Sequence, residues 1–346
     1  MNDTTVPRSD STRPLPARAN LEHLKGEAKK RLRDMRRQNR GATLAAAQFA
    51  VARSYGFASW RKPKAYVDTL RDAAERLVNA VRTGDLDIMR AVLDRSPELV
   101  NATTGLDRRF RPSDTRAMRV IHLAVAENQM EAARILIERG VNLNVRNADG
   151  RLPLHDCFEL GRDEFAQLLL AAGAEADVCA AAGYGMYDRL REILSRDPKL
   201  ANDLQTGISP LGWSVYGDQP ESARILLTAG AVIDRSPYDV GAWGPIAHVA
   251  NLSVARVLLE NGANPNCRNK DGDTPIHAAI KSRLVGDPTA FIELLLGAGA
   301  DRAIVNNDGR TAAHEALRQV GRAAETYFPA RPIGPKKLER AIELLR

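Results

Sequence analysis

Apolar residues in this chain come in short bursts rather than long stripes, and the bursts share a grammar. A small or branched residue is followed by two or three aliphatics, two more residues and a glycine. The pattern reads Ala133-Arg-Ile-Leu-Ile-Glu-Arg-Gly140, Gln167-Leu-Leu-Leu-Ala-Ala-Gly173, Ala223-Arg-Ile-Leu-Leu-Thr-Ala-Gly230, Ala255-Arg-Val-Leu-Leu-Glu-Asn-Gly262 and Ile292-Glu-Leu-Leu-Leu-Gly-Ala-Gly299. The glycines step by 33, 57, 32 and 37 residues, and the second step holds two units. That sets a period of about 33 residues. Each burst predicts a short helix burying its aliphatic side, ended by a glycine in the left-handed conformation. Asn-x-Asp-Gly follows at Asn147–Gly150, Asn269–Gly272 and Asn306–Gly309, a tight-turn signal. Thr274-Pro-Ile-His277 then opens a new helix, with threonine as cap and proline in the first turn. Leu152-Pro-Leu-His155 repeats it, and Val120-Ile-His122 and Thr311-Ala-Ala-His314 are weaker copies.

These offsets together resemble the ankyrin repeat, with its Asp-Gly turn, Thr-Pro-Leu-His opening and Leu-Leu-x-x-Gly-Ala ending. The resemblance covers residues 73–346 and divides into eight units: 73–105, 117–147, 149–178, 179–206, 207–236, 237–268, 271–305 and 308–346. The first and fourth share another ending, Leu93-Asp-Arg-Ser-Pro97 and Leu194-Ser-Arg-Asp-Pro198, 101 residues apart. The fourth lacks the Thr-Pro-Leu-His opening, and the sixth is short between its helices. The resemblance implies an all-α solenoid of stacked helix pairs, with turns projecting as fingers and a concave face that binds other proteins.

Residues 1–19 form a polar, Pro-rich segment that predicts a disordered tail. Residues 20–72 form a basic helical module ahead of the array. Leu21, Leu24, Ala28, Leu32 and Met35 recur at helical spacing between Asn20 and Gly41, a second helix runs from a Thr43 cap to about Tyr55, and a third follows Trp60. The Tyr-Gly-Phe-Ala-Ser-Trp signature is similar to a module that often precedes ankyrin repeats in bacterial proteins. Helix, turn, helix beside basic residues also describes a DNA-binding motif, with Lys29, Lys30, Arg33, Arg36 and Arg37 as nucleic-acid candidates. Pro63, inside the would-be recognition helix, weighs against that reading, and a cap over the end of the array is the plainer one.

Charge sharpens the division. Residues 1–72 hold 16 Lys+Arg against 7 Asp+Glu, whereas the other 274 hold 34 against 36. The basic character therefore belongs to the module. No run of 18 apolar residues exists to span a membrane. Cys157, Cys179 and Cys267 form no CxxC pair, which predicts buried thiols in a reducing cytoplasm rather than a zinc ribbon or disulfides. Arginine outnumbers lysine 40 to 10, pointing to a GC-rich bacterial coding sequence.

Candidate chemistry is thin. His122, His155, His277 and His314 occupy the structural position of the repeat, and His23 and His248 are solitary. No nucleophile elbow, phosphate loop or His-Glu-x-x-His is present, and Gly183-Tyr-Gly185 lacks a third glycine. The expectation is no catalytic residue, no metal and no cofactor. Departures from the repeat are the better pointers to a site. A long finger, Thr104–Ala117, carries Arg108, Arg109, Arg111 and Arg116 and reads equally as a contact for an acidic partner or as a solvated loop; another, Asp234–Gly244, carries Tyr238 and Trp243. Tyr184, Trp213 and Tyr216 fall near first-helix ends, where such rings either anchor an interface or pack between repeats. The insertion Gln319–Pro335 carries Tyr327-Phe-Pro-Ala-Arg-Pro-Ile-Gly334 and reads as a lid over the end of the stack. The reading is a monomeric, non-catalytic protein-binding scaffold. Its alternatives are a nucleic-acid binder working through the basic helices, and an enzyme or ligand binder with a pocket on the arc.

Overall fold

A computed structural model describes residues 21–38, 41–55, 59–102, 119–233, 252–281, 288–323 and 335–346. They fall into two compact units, one ending at Val145 and one starting at Arg146. Among the described residues the regular structure is helical, with no strand, so the chain is all-α.

In the first unit, α1 (Leu21–Gln38) and α2 (Leu44–Ser54) pack on one another, with Leu24 and Ala28 buried against Val51, Ala52 and Tyr55. Thr43 caps α2, its hydroxyl accepting from the Ala46 amide at 3.2 Å, and Trp60 packs against the same small core. α3 then runs unbroken from Arg61 to Thr83 (Arg61–Thr83), so the division placed after residue 72 falls inside a helix. Its second half buries Ala74, Leu77, Val78, Ala80 and Val81, and it is the first helix of the first repeat. α4 (Leu86–Arg95) follows, capped by Asp85, whose carboxylate accepts from the Ile88 amide at 3.0 Å. A 3-10 turn (Pro97–Asn101), then α5 (Val120–Ala126) and α6 (Met130–Glu138) complete the unit. First helix packs on first helix (α3 on α5) and second on second (α4 on α6), the neighbour-to-neighbour burial of a repeat array.

The second unit continues the pairs: α7 (Pro153–Glu159) with α8 (Asp163–Ala171), α9 (Val178–Gly183) with α10 (Tyr187–Arg196), and α11 (Pro210–Tyr216) with α12 (Pro220–Thr228). Next come α13 (Leu252–Glu260), α14 (Pro275–Lys281) with α15 (Pro288–Gly297), and α16 (Ala312–Ala323) with α17 (Pro335–Leu345). α13 is the second helix of the sixth repeat; the stretch before it lies outside the described residues. The Leu-x-Arg-x-Pro ending shared by the first and fourth repeats has a structural meaning, because Pro198–Asn202 forms a second 3-10 turn like Pro97–Asn101.

Asparagine, more than aspartate, builds the fingers. Asn147 Oδ1 accepts from the amides of Asp149 and Arg151, Asn269 Oδ1 from Asp271 and Asp273, and Asn306 Oδ1 from Asp308 and Arg310, all at 2.8–3.1 Å. The glycine closing each turn sits at φ between 70° and 76°, where a side chain is strained. A second asparagine set brackets adjacent fingers. Asn202 accepts from the Val232 amide at 2.8 Å and donates to the Gly230 carbonyl at 2.9 Å, and Asn266 does the same with Asp301 and Gly299. Asn101 accepts from the Asn142 amide at 2.8 Å in the first unit.

Candidate partner-binding site

The aromatic candidates meet around α9, and the reason lies in its composition. All six of its residues, Val-Cys-Ala-Ala-Ala-Gly, are small and buried, so α7 and α11 on either side come close. Phe158 of α7 stands edge-on to Trp213 of α11 with centroids 5.2 Å apart, and edge-on to Tyr184 at the same distance. The His155 ring lies 4.9 Å from Trp213. Trp213 is only 1% exposed, and its indole N–H donates to Thr206 Oγ1 at 3.0 Å. Its expected place at a partner surface is therefore corrected: it is core, with its one polar atom satisfied. Tyr184 is half-buried and donates to the Leu154 carbonyl at 3.2 Å, and burial pushes its phenol well above the usual value. Tyr216, three residues beyond Trp213 on the same helix, is 38% exposed. Structure thus separates the three: one ring inside, one bridging two repeats, one offered outward.

The histidines hold repeats together. The Leu152 amide donates to His155 Nδ1 at 3.0 Å, so the proton on Nε2 points to Asp177 Oδ1, also at 3.0 Å. Asp177 caps α9 in place of the missing threonine, accepting from the Ala180 amide at 2.9 Å and from Arg146 at 2.9 Å. Burial alone would raise this carboxyl. The hydrogen bond from His155, then the Ala180 amide and Arg146, hold it instead at about 2. His277 uses the same device, accepting from the Thr274 amide at 3.2 Å and donating to the Arg310 carbonyl at 3.0 Å. His122 reaches the Val145 carbonyl at 3.0 Å, and His314 accepts from Thr311 at 3.3 Å.

Beneath the last repeats, the Lys281 ammonium is 2.7 Å from buried Asp273, and the Arg310 guanidinium is 2.6 Å from buried Glu315. Asn306 donates to Asp273 at 2.9 Å. Burial acts to raise the Glu315 carboxyl, but Arg310 and Lys281 outweigh it and hold it low. Such a satisfied ionic cluster is a packing device. All three cysteines are buried; burial, with Asp156 beside it, pushes the Cys157 thiol up to about 12. Among the described residues no group of three His, Cys, Asp or Glu side chains gathers to hold a metal.

Arg108, Arg109, Arg111, Tyr238 and Trp243 lie outside the described residues, as does most of the 319–335 insertion, whose first residues continue α16. Lys29, Lys30, Arg33, Arg36 and Arg37 are all exposed on α1, and the Arg36 Nε donates to the Ala42 carbonyl at 3.2 Å. A pair of arginines braces the fingers. Arg146 binds the Gly150 carbonyl and reaches Asp177, while Arg268 binds the Gly272 carbonyl and reaches the Val305 carbonyl at 2.7 Å. The repeated Arg-Asn-x-Asp-Gly was the available signal.

A family model described as ankyrin repeats (3 copies) matches residues 77–180 and 246–326, more than half of the chain. The chain belongs to the ankyrin-repeat family. Ankyrin repeats as a class mediate protein–protein interaction, and similarity to individual ankyrin-repeat proteins is distant. Ankyrin repeat and SOCS box protein 16 of Mus musculus is 28% identical over 67% of this chain and 58% of its own length. The B-cell lymphoma 3 protein homolog of Mus musculus is 25% identical over 56% of this chain and 40% of its own length. The chain thus spans little more than half of the first and less than half of the second. The solved ankyrin repeat domain of Bcl-3, 23% identical, covers 65% of this ankyrin-repeat chain at a TM-score of 0.38. No described helix is long and apolar enough to cross a membrane.

Proposed function

We propose that this chain is a non-catalytic binding scaffold that holds a protein partner on the first-helix ends and finger turns of its second unit, the side the repeat makes concave. The observation that carries it is Tyr216: six of the seven residues of α11 are buried, and the one left outward is a large amphipathic ring. Such rings contribute most at interfaces, because they bury wide area at small entropic cost. Exposed Leu160, at the end of α7, offers apolar surface at a comparable point of its own repeat. A monomer acting in the cytoplasm suits three buried thiols with no disulfide.

The test compares full-length protein with Tyr216→Ala and Trp213→Ala, reading melting temperature and the proteins captured from a lysate. Tyr216→Ala is expected to melt within a few degrees of the parent and to lose captured partners, with a hot-spot cost of about 2 kcal/mol or more. Trp213→Ala is expected to lose stability by about 3–5 kcal/mol. A Tyr216→Ala variant that keeps every partner removes this face from consideration.

A further inference from the structure

The basic helix at the start of the described chain has no task in that scaffold. α1 carries seven Lys or Arg and three Asp or Glu, and its apolar residues face inward: Leu24 and Ala28 are buried against α2, and Leu32 and Met35 are half-buried. At 100° per residue, Lys29, Lys30, Arg33, Arg36 and Arg37 fall in one sector beside that buried stripe, and all five are exposed. From the first to the last the helix rises about 12 Å, with roughly two cations per turn. Elsewhere in the described residues many arginines meet carboxylates, as in Arg139 with Asp94 at 2.8 Å and Arg191 with Glu221 at 2.9 Å. Between Lys29 and Arg37 the one acid of α1, Asp34, falls outside that sector. Asp34 is 3.9 Å from Arg37, and Lys29, Lys30 and Arg33 are not ion-paired among the described residues.

We propose that this face of α1 binds the phosphate backbone of a nucleic acid. A solvated helix in an array that pairs many of its charges would be expected to interleave acids on the same sector; from Lys29 to Arg37 this one concentrates cations along a line, as a polyanion requires. Sequence readout is not part of the proposal. The cations are on α1, whereas the helix that a helix-turn-helix would insert, α3, continues into the core of the first repeat. Contacts limited to phosphates position a protein without specifying bases. An anionic membrane is the other class of polyanionic surface, and the fold disfavours it. The apolar side of α1 is already covered by α2, and α2 exposes only two large apolar side chains, Leu44 at 43% and Phe49 at 50%.

The experiment is fluorescence anisotropy of full-length protein with labelled mixed-sequence duplex DNA and single-stranded RNA, titrated between about 50 and 200 mM salt. Binding to one or both is expected, with log K falling linearly with log salt at a slope of about −3 to −5 for four or five phosphate contacts. The exposed triple variant Lys29→Gln, Lys30→Gln, Arg33→Gln is expected to melt as the parent does, bind at least about tenfold more weakly and flatten that slope by about 2–3. Lys29→Glu alone is expected to weaken binding in the same direction. Absence of binding to both nucleic acids at the lowest salt overturns the proposal. So does a triple variant that binds like the parent, or binding to phosphatidylserine vesicles without binding to nucleic acid. None of these outcomes touches the Tyr216 test, so the two readings fail separately.

Discussion

Trp213 and Tyr216 are three residues apart on one short helix, and hydropathy ranks them alike, yet one is core and the other surface. Sequence alone does not separate them, because this helix carries no polar stripe to mark a solvent side: Pro210 through Val215 are all buried. The histidines were legible, since their spacing repeats with the unit, but the partner of His155 was not. Asp177 replaces a capping threonine, and only geometry brings it to an imidazole 22 positions earlier in the chain. Its depressed pKa gives a pH test. The usual value of 3.8 drops to about 2, so the stabilisation is fully present above pH 3.8 and disappears as pH falls through 2. At about 1.4 kcal/mol per unit, it amounts to roughly 2 kcal/mol. Urea unfolding of the parent and Asp177→Asn should show a stability gap that shrinks by about that amount between pH 5 and pH 2. A gap that stays constant with pH would remove the carboxylate's charge from the explanation.

Helix α9 shows what element-level reading can and cannot supply. That its stretch is helical and apolar follows from composition, but its smallness matters through its neighbours, which sequence alone does not place. A Cβ at Gly217 would stand 2.0 Å from the Gly183 carbonyl oxygen, which measures how closely α9 and α11 approach. Gly217 has an ordinary φ of −82°, so its need for glycine is purely one of space. Gly217→Ala is accordingly expected to cost about 1–3 kcal/mol through overpacking, read as a lower denaturation midpoint with unchanged m-value. An unchanged midpoint would mean that the two helices separate freely. The asparagine brackets at Asn101, Asn202 and Asn266 belong to the same lesson. Each is an unremarkable polar residue until the neighbouring finger, about 30 to 40 positions later, arrives beside it.

At the scale of the whole molecule the period, the helix pairs and the turns were legible because they are local and repeated. The boundary between the basic module and the array was not, because charge changes there while backbone does not. α3 crosses it as one helix of 23 residues. Proteolysis turns that continuity into a map. Arg61, Lys64, Arg71, Arg76 and Arg82 all present trypsin with a cleavable bond inside α3, the kind of basic stretch that a flexible linker between domains would surrender first. A protease needs several residues in extended form, and a helix whose second half is core yields them only when the first repeat unfolds. Limited trypsin digestion followed by mass spectrometry should therefore leave residues 61–83 intact while exposed sites on α1 are cut; early cleavage after Arg71 would mean that the helix breaks there. The same continuity dictates where the protein can be shortened. A fragment beginning at residue 73 starts mid-helix, whereas one beginning before Arg61 carries the first repeat whole.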